Sequence, residues 1–290
     1  MNSVSPDIGV VVPTRNSERT LQACLQSLRD QTLRPTIVVV DNHSSDSTAA
    51  IAQELADVFV VAGPERSAQR NRGAEVLGDV AVVGFVDSDM VLQPTVVQEV
   101  IAAIGQGAGS VIVPERTVGN GFWVEVRAFE RSFYDGSDAI EAARFFTWDV
   151  FKRTGGFDEQ LTGPEDWDLS EAARALAPVA RTMAFIEHDE GTISYLGACR
   201  KKAYYAEGVR RYVAKRGWAA VSHASRRPWL HHPQALLSRH GAGLVALKAG
   251  EAVAVLAAVA RGRAPAVRTK DVHLDARPER QRSDGDAVTQ

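Results

Sequence analysis

Apolar and polar positions alternate along the first 113 residues in a repeating way. Ile8 to Val12 is a short β-rich run closed by Pro13, and Leu21, Cys24, Leu25 and Leu28 then recur at helical spacing before the apolar run Ile37 to Val40. This is a β-α-β unit. The pattern continues with a helix from Ser47 to Leu55, a strand from Val58 to Val61, a helix from Ser67 to Leu77 and a strand, Val82 to Val86, that stops on Asp87-Ser88-Asp89. Val96, Val97, Val100, Ile101 and Ile104 mark one face of the next helix, and Ser110 to Val113 the next strand. Strands alternating with helices of this length predict an α/β fold whose mostly parallel sheet is covered on both faces.

From Glu115 to Arg153 the alternation fades and aromatic residues gather, among them Phe122, Trp123, Phe129, Phe133, Phe145, Phe146 and Trp148, a stretch suited to cover or shape a pocket. Beyond it the pattern predicts a helix over Asp166 to Leu176, a strand over Val179 to Ile186 and an amphipathic helix over 198–216. Ala242 to Ala260 is apolar but carries Lys248 and Glu251, which reads as a packed or interfacial helix and a poor transmembrane span. The charged tail from Arg261 lacks apolar periodicity and is expected to be disordered. The expected division is 1–197 for the α/β domain, 198–262 for a basic helical extension and 263–290 for the tail.

Composition narrows the class. With 45% hydrophobic and 24% charged residues, the 290-residue chain has the apolar mass of a folded protein. Cys24 and Cys199 lie far apart and outside any Cys/His cluster, so neither a disulfide framework nor a zinc site is indicated. Met1 to Asp7 has no basic start followed by an apolar core, which makes the cytoplasm the expected location. The net charge of -3 hides an asymmetry, because residues 200–229 hold nine Lys and Arg against Glu207, a local +8 that leaves -11 elsewhere. Mixed with Tyr204, Tyr205, Tyr212, Trp218 and Trp229, these cations suit an anionic membrane surface, such as the inner face of the cell membrane, or else a solvated helical face. Nucleic acid is not the expected partner.

Polar clusters fall at strand ends: Pro13-Thr14-Arg15-Asn16 after the first strand, Asp41-Asn42 after the second, and Asp87-Ser88-Asp89. In a parallel sheet these ends share one edge, where ligands bind. Two carboxylates one residue apart at such an edge suit a hard cation and a diphosphate, whereas isolated strand-end Asp residues commonly cap turns. Asp166 opens a helix, where a carboxylate can be a base or a cap. His188 follows the last predicted strand, and a lone histidine can be a ligand or structural.

Val11-Val12-Pro13-Thr14-Arg15-Asn16 and Val38 to Thr48, with Ala68 to Ala74, Phe85 to Asp89, and Gly155-Gly156-Phe157-Asp158-Glu159 ahead of Gly163 to Leu169, closely resemble the motifs of glycosyltransferase family 2, in that family's order. The resemblance covers about residues 8–195. It implies a GT-A fold with a Rossmann-like nucleotide-binding half and a C-terminal helical extension. It further implies a metal-dependent, inverting transfer of sugar from a nucleoside diphosphate, UDP first and GDP second, to a hydroxyl on a glycan, lipid-linked or small-molecule acceptor. On that likeness Pro13, Thr14 and Arg15 border the nucleotide, Asp41 accepts from the base, Asp87 meets the ribose or metal, and Arg70 contacts nucleotide or phosphates, its alternative being a surface salt bridge. Asp89, completed by His188, would hold Mn2+ or Mg2+. Asp166 would be the general base, with Glu165, Trp148 and Trp167 near donor sugar or acceptor; core packing is the other reading of both tryptophans. The rival readings are a sugar-phosphate nucleotidyltransferase, disfavoured because Val12 to Asn16 has no glycine, and a nucleotide-sugar binding protein without turnover.

Overall fold

A computed structural model describes residues 7–137, 140–217 and 226–260; Trp218 and the tail from 261 lie outside them. β1 (Ile8–Thr14) is buried at all seven positions. Both of its faces are covered. Val10 and Val12 join Leu21, Cys24, Leu25 and Leu28 of α1 (Leu21–Arg29) in one apolar cluster, while Val11 joins Ala74 of α3 (Arg66–Leu77) in a second. A central parallel strand therefore reads as an unbroken apolar run. At Gly73 a Cβ would lie 2.2 Å from Val11 Cγ1, so only glycine lets α3 approach β1 this closely.

β2 (Thr36–Asp41) pairs with β1 and with β3 (Val58–Val61), which follows α2 (Thr48–Leu55). β4 (Val82–Phe85) lies on the other side of β1. After β5 (Met90–Leu92) and α4 (Val96–Gly105), β6 (Ser110–Ile112) returns to the main sheet. β7 (Glu115–Asn120), α5 (Phe122–Ser132), β8 (Phe145–Thr147), α6 (Trp148–Thr154), α7 (Glu165–Arg174), β9 (Val179–Arg181) and β10 (Ile186–Thr192) complete the α/β part. The seven-stranded sheet has the order β3-β2-β1-β4-β8-β6-β9, with only β8 antiparallel to its neighbours. A second sheet has the order β5-β10-β7. α8 (Tyr195–Arg216), two 3₁₀ turns and α9 (Arg239–Ala260) form the C-terminal helices.

Two expectations are corrected. The strand expected over Val179 to Ile186 is two strands in different sheets, because Glu99 of α4 accepts the N–H groups of Met183 (2.7 Å) and Ala184 (3.0 Å) and turns the chain between them. His188 therefore lies inside β10 rather than after a strand. The aromatic side chains expected over a pocket in 115–153 pack instead into apolar clusters. Phe145 and Phe146 alternate into the two main clusters, and Phe122, Trp123, Phe129 and Phe133 pack with Val126, Trp229, Leu244 and Leu247 beneath α9. Part of the basic flank also turns inward. Lys215 reaches Asp158 (2.6 Å) and Asp168 (2.9 Å), and Arg216 binds Asp168 at 2.6 Å.

Candidate active site

The parallel order brings the carboxyl ends of β2, β1 and β4 to one edge. Thr14 sits across from Asp41 in the β1–β2 register, and Val86, just before Asp87, donates its N–H to Val11 of β1 at 3.1 Å. Pro13, Thr14, Arg15 and Asp41 thus line one part of the edge, with Asp87 and Asp89 beside them. The Asp41 carboxylate accepts the N–H of Ser44 at 2.9 Å and the Ser44 hydroxyl, so it holds the turn after β2 as well as facing the edge. Thr14 Oγ1 is buried with no hydrogen-bond partner in the structure, and such an atom invites a ligand or water.

Arg70 is the hinge of the cluster. Its side chain is fully buried, and its two terminal nitrogens meet Asp87 at 2.6 Å, Asp166 at 2.9 Å and Glu165 at 3.5 Å. It is therefore no surface salt bridge. α3 delivers Arg70, and the neighbouring Asn71 locks that helix to the Gly155-Gly156-Phe157 turn. The amide of Asn71 donates to the Phe157 carbonyl and accepts the Phe157 N–H, both at 2.9 Å. Gly156 has φ 77°, a left-handed conformation that favours glycine, and a Cβ there would lie 2.8 Å from Asn71 Oδ1. Phe157 then packs edge-on against Phe85, centroids 4.8 Å apart, and beneath the Arg70 guanidinium at 5.0 Å.

Asp166 lies in the first turn of α7, whose N-cap is Pro164, and it is bonded to Arg70 instead of capping the helix. Its side chain keeps 25% of its exposure. Glu165 is buried; it bonds the Gly163 N–H and takes Arg66 at 3.1 Å. Burial and the adjacent Asp166 push its carboxyl above the usual range despite the two arginines.

Three residues that sequence reasoning missed join these groups to Asp89. Arg144, on the residue before β8, binds Glu115 at 2.6 Å, Asp87 at 3.4 Å and Asp166 at 3.8 Å. Glu115, which opens β7, also takes Arg131 and His188 Nδ1 (3.3 Å), and His188 Nε2 lies 3.3 Å from Asp89. Burial disfavours charge on Asp87, but Arg70, Arg144 and Arg66 hold its carboxyl well below the ordinary value. For His188 burial again opposes charge, and Asp89 and Glu115 prevail, raising its pKa to about 10. The strand-end rule that picked Asp41 and Asp87 also applies to Glu115, which follows Ser110 to Pro114. Arg144 had one signal, a lone cation directly before two phenylalanines.

Asp89 and His188 offer one carboxylate oxygen and one imidazole nitrogen side by side, with the Asp89 side chain 38% exposed. That donor pair would suit a manganese-like ion once His188 gives up its proton. No cluster of three or more His, Cys, Asp or Glu forms a ready-made cage among the described residues.

The tryptophans stand apart from this cluster. Thr147 pairs with Val82 at the start of β4, so Trp148 lies at the opposite sheet edge from Asp87, with its indole N–H on Asp79 at 2.6 Å. Trp148 is corrected from sugar contact to packing. Trp167 donates to the Ile140 carbonyl at 3.0 Å and packs with Leu161, Tyr212 and Val213, the core role that was its other reading.

A family model for glycosyl transferase family 2 matches residues 9–158, just over half of the 290. Dolichol-phosphate mannosyltransferase of Pyrococcus furiosus is 32% identical over 110 residues, 35% of this chain and 31% of its own length. The matched stretches span a third or less of the curated relatives. Two solved structures share the fold: S. aureus TarS 1–349 (TM-score 0.52, 18% identity, 89% of this chain and 92% of that one) and mannosyltransferase PcManGT of Pyrobaculum calidifontis with GDP-Man and Mn2+ (TM-score 0.55, 16% identity, 90% and 82%). With the strand-end carboxylates on one edge and the family's pattern matched over 9–158, the chain belongs to glycosyl transferase family 2 and has a GT-A fold.

Proposed function

We infer that the chain transfers a sugar, with inversion, from a nucleoside diphosphate donor to a hydroxyl acceptor. The observation that carries this reading is the single buried guanidinium of Arg70 held between Asp87 at 2.6 Å and Asp166 at 2.9 Å, at the edge where Asp41 and Thr14 lie. Asp41 and the unpartnered Thr14 hydroxyl would meet the base and ribose, and Pro13 and Arg15 would border them. Arg70 and Arg144 set cationic charge beside the place a diphosphate would occupy. Asp89 and His188 would hold a divalent cation, Mn2+ or Mg2+, which when bound supplies charge neutralisation for the departing diphosphate.

Asp166 takes the proton from the acceptor hydroxyl as its oxygen attacks the anomeric carbon, while the bond to the diphosphate oxygen breaks on the opposite face. Arg70 orients that carboxylate. TarS has been solved with UDP and PcManGT with GDP-Man, which keeps UDP first and GDP second as candidates here. The acceptor class is a hydroxyl of a glycan, a lipid-linked saccharide or a small molecule.

The test is a thermal-shift panel of UDP, GDP, CDP and dTDP with and without manganese. Selective binding raises Tm with the logarithm of ligand excess. One diphosphate that stabilises the protein, more strongly with manganese, is the expected result; equal small shifts for all four, unaffected by metal, would reject the reading.

A further inference from the structure

α9 presents an unusual outer face. Ala242, Val245, Ala249, Val253, Leu256 and Val259 follow one another at helical spacing and are all exposed, Val253, Leu256 and Val259 by 64–68%. At 1.5 Å per residue this stripe runs about 26 Å. A helix packed on a water-soluble body ordinarily turns charges outward. Here the two charges beyond its first turn point the other way: Lys248 binds Glu130 of α5 at 2.6 Å, and Glu251 binds Arg127 of α5 at 2.5 Å. By length and composition α9 could cross a membrane, with a mean hydropathy of 1.8. Its inward ion pairs and its packing on α5 and α8 hold it flat on the protein instead.

We propose that this face of α9 seats on an anionic lipid surface, with the cations of the C-terminal helices around it. Of the eleven Lys and Arg in residues 195–260, Lys215, Arg216 and Lys248 bind acids of the α/β part, and the region's own two acids are engaged, Glu207 by Arg210 and Arg211 and Glu251 by Arg127 and Lys248. Arg200, Lys201 and Lys202 are exposed beside Cys199, which lies against Gly250 of α9, and Arg239 is exposed at the helix start. An apolar stripe on one helix and exposed cations on the helices beside it match the two components of interfacial binding, apolar insertion and attraction to acidic headgroups. A second copy of the chain is the poorer occupant, because a self-complementary contact would set one basic surface against another with no acid left to receive it. The proposal does not depend on the donor-site reading, and its test involves no nucleotide.

The full chain is floated with vesicles of phosphatidylcholine alone or mixed with phosphatidylglycerol. Wild type is expected to float with the anionic vesicles, less as salt rises, and to stay below with neutral ones. Val253→Glu/Leu256→Glu should lower the anionic-vesicle fraction about tenfold or more, and Arg200→Glu/Lys201→Glu should lower it as well, each with Tm unchanged since the altered positions are exposed. Equal flotation of wild type and the α9 variant would overturn the proposal, as would equal recovery from both vesicle types. So would a wild-type dimer, seen by light scattering, that the α9 variant dissolves while leaving flotation as it was.

Discussion

Arg70 and Asp166 meet at 2.9 Å, although they are 96 residues apart and belong to different helices. The same guanidinium holds Asp87 at 2.6 Å, so the proposed base and the strand-end carboxylate share one buried cation. A carboxylate fixed in this way is aimed. Replacing Asp166 therefore separates two functions that the cluster joins.

Asp166→Asn keeps the side chain's size and loses its basicity. Nucleotide binding, read as the Tm gain with the preferred diphosphate, should stay within a degree or so of wild type, while kcat for transfer falls by about 10²–10⁴. A kcat near that of wild type would remove Asp166 from the role of base.

Arg144 is nearly as buried as Arg70 and faces Asp87, Glu115 and Asp166. Arg144→Met fills similar space but removes the one cation that all three carboxylates share, leaving Arg70 to Asp87 and Asp166 and Arg131 to Glu115. The expected loss of unfolding free energy is about 3–5 kcal/mol by urea titration, the size seen when one partner of a buried ion pair is removed. A loss below about 1 kcal/mol, the range of an exposed pair, would show that the network does not act as a buried unit.

Asp89 and His188 define the proposed cation seat. In wild type a chelator should abolish the manganese-dependent part of the nucleotide Tm gain, and added manganese should restore it. Asp89→Ala should show only the metal-independent part with or without chelator. If the variant still responds to manganese as wild type does, the seat lies elsewhere.

The α5–α9 contact carries a pH dependence of its own. Burial disfavours a charged Glu130, yet Lys248 and Arg127 hold its carboxyl below the usual 4.5, with help from the Tyr134 hydroxyl. A folded pKa below the unfolded one means that this stabilisation is complete above pH 4.5 and fades as the pH drops through the lower, folded value. Glu130→Gln should be less stable than wild type at pH 7, and the gap between the two, followed by urea unfolding, should narrow on acidification below about pH 4.5. A gap that stays constant from pH 7 to pH 3 would contradict the assignment.

Much of the fold was legible in local pattern. The β-α-β repeat up to Val113 is written in apolar spacing, and β1 to β4 and α1 to α4 form where that spacing puts them. Strand ends carrying Pro13 to Arg15, Asp41 and Asp87 follow at once, since parallel strands present their carboxyl ends to one edge. Pairing was not legible. β8 is antiparallel between β4 and β6, and that choice sends Trp148 to the far edge while bringing Arg144 to Asp87. Likewise, Glu99 breaks the run after Val179 so that β10 joins β5 and β7 and carries His188 to Asp89, 99 residues away in sequence.

The sequence by itself determined which carboxylates stand at strand ends and which helices are two-faced, because a strand or helix records its own burial in a period of two or 3.6 residues. Only the tertiary structure decided that Glu115, Arg144 and Arg70 tie those carboxylates into one cluster, and that α9 turns its charges inward. Ion pairs across 17 to 124 residues leave no local period to read, since each partner's position depends on strand pairings and helix docking made elsewhere in the chain.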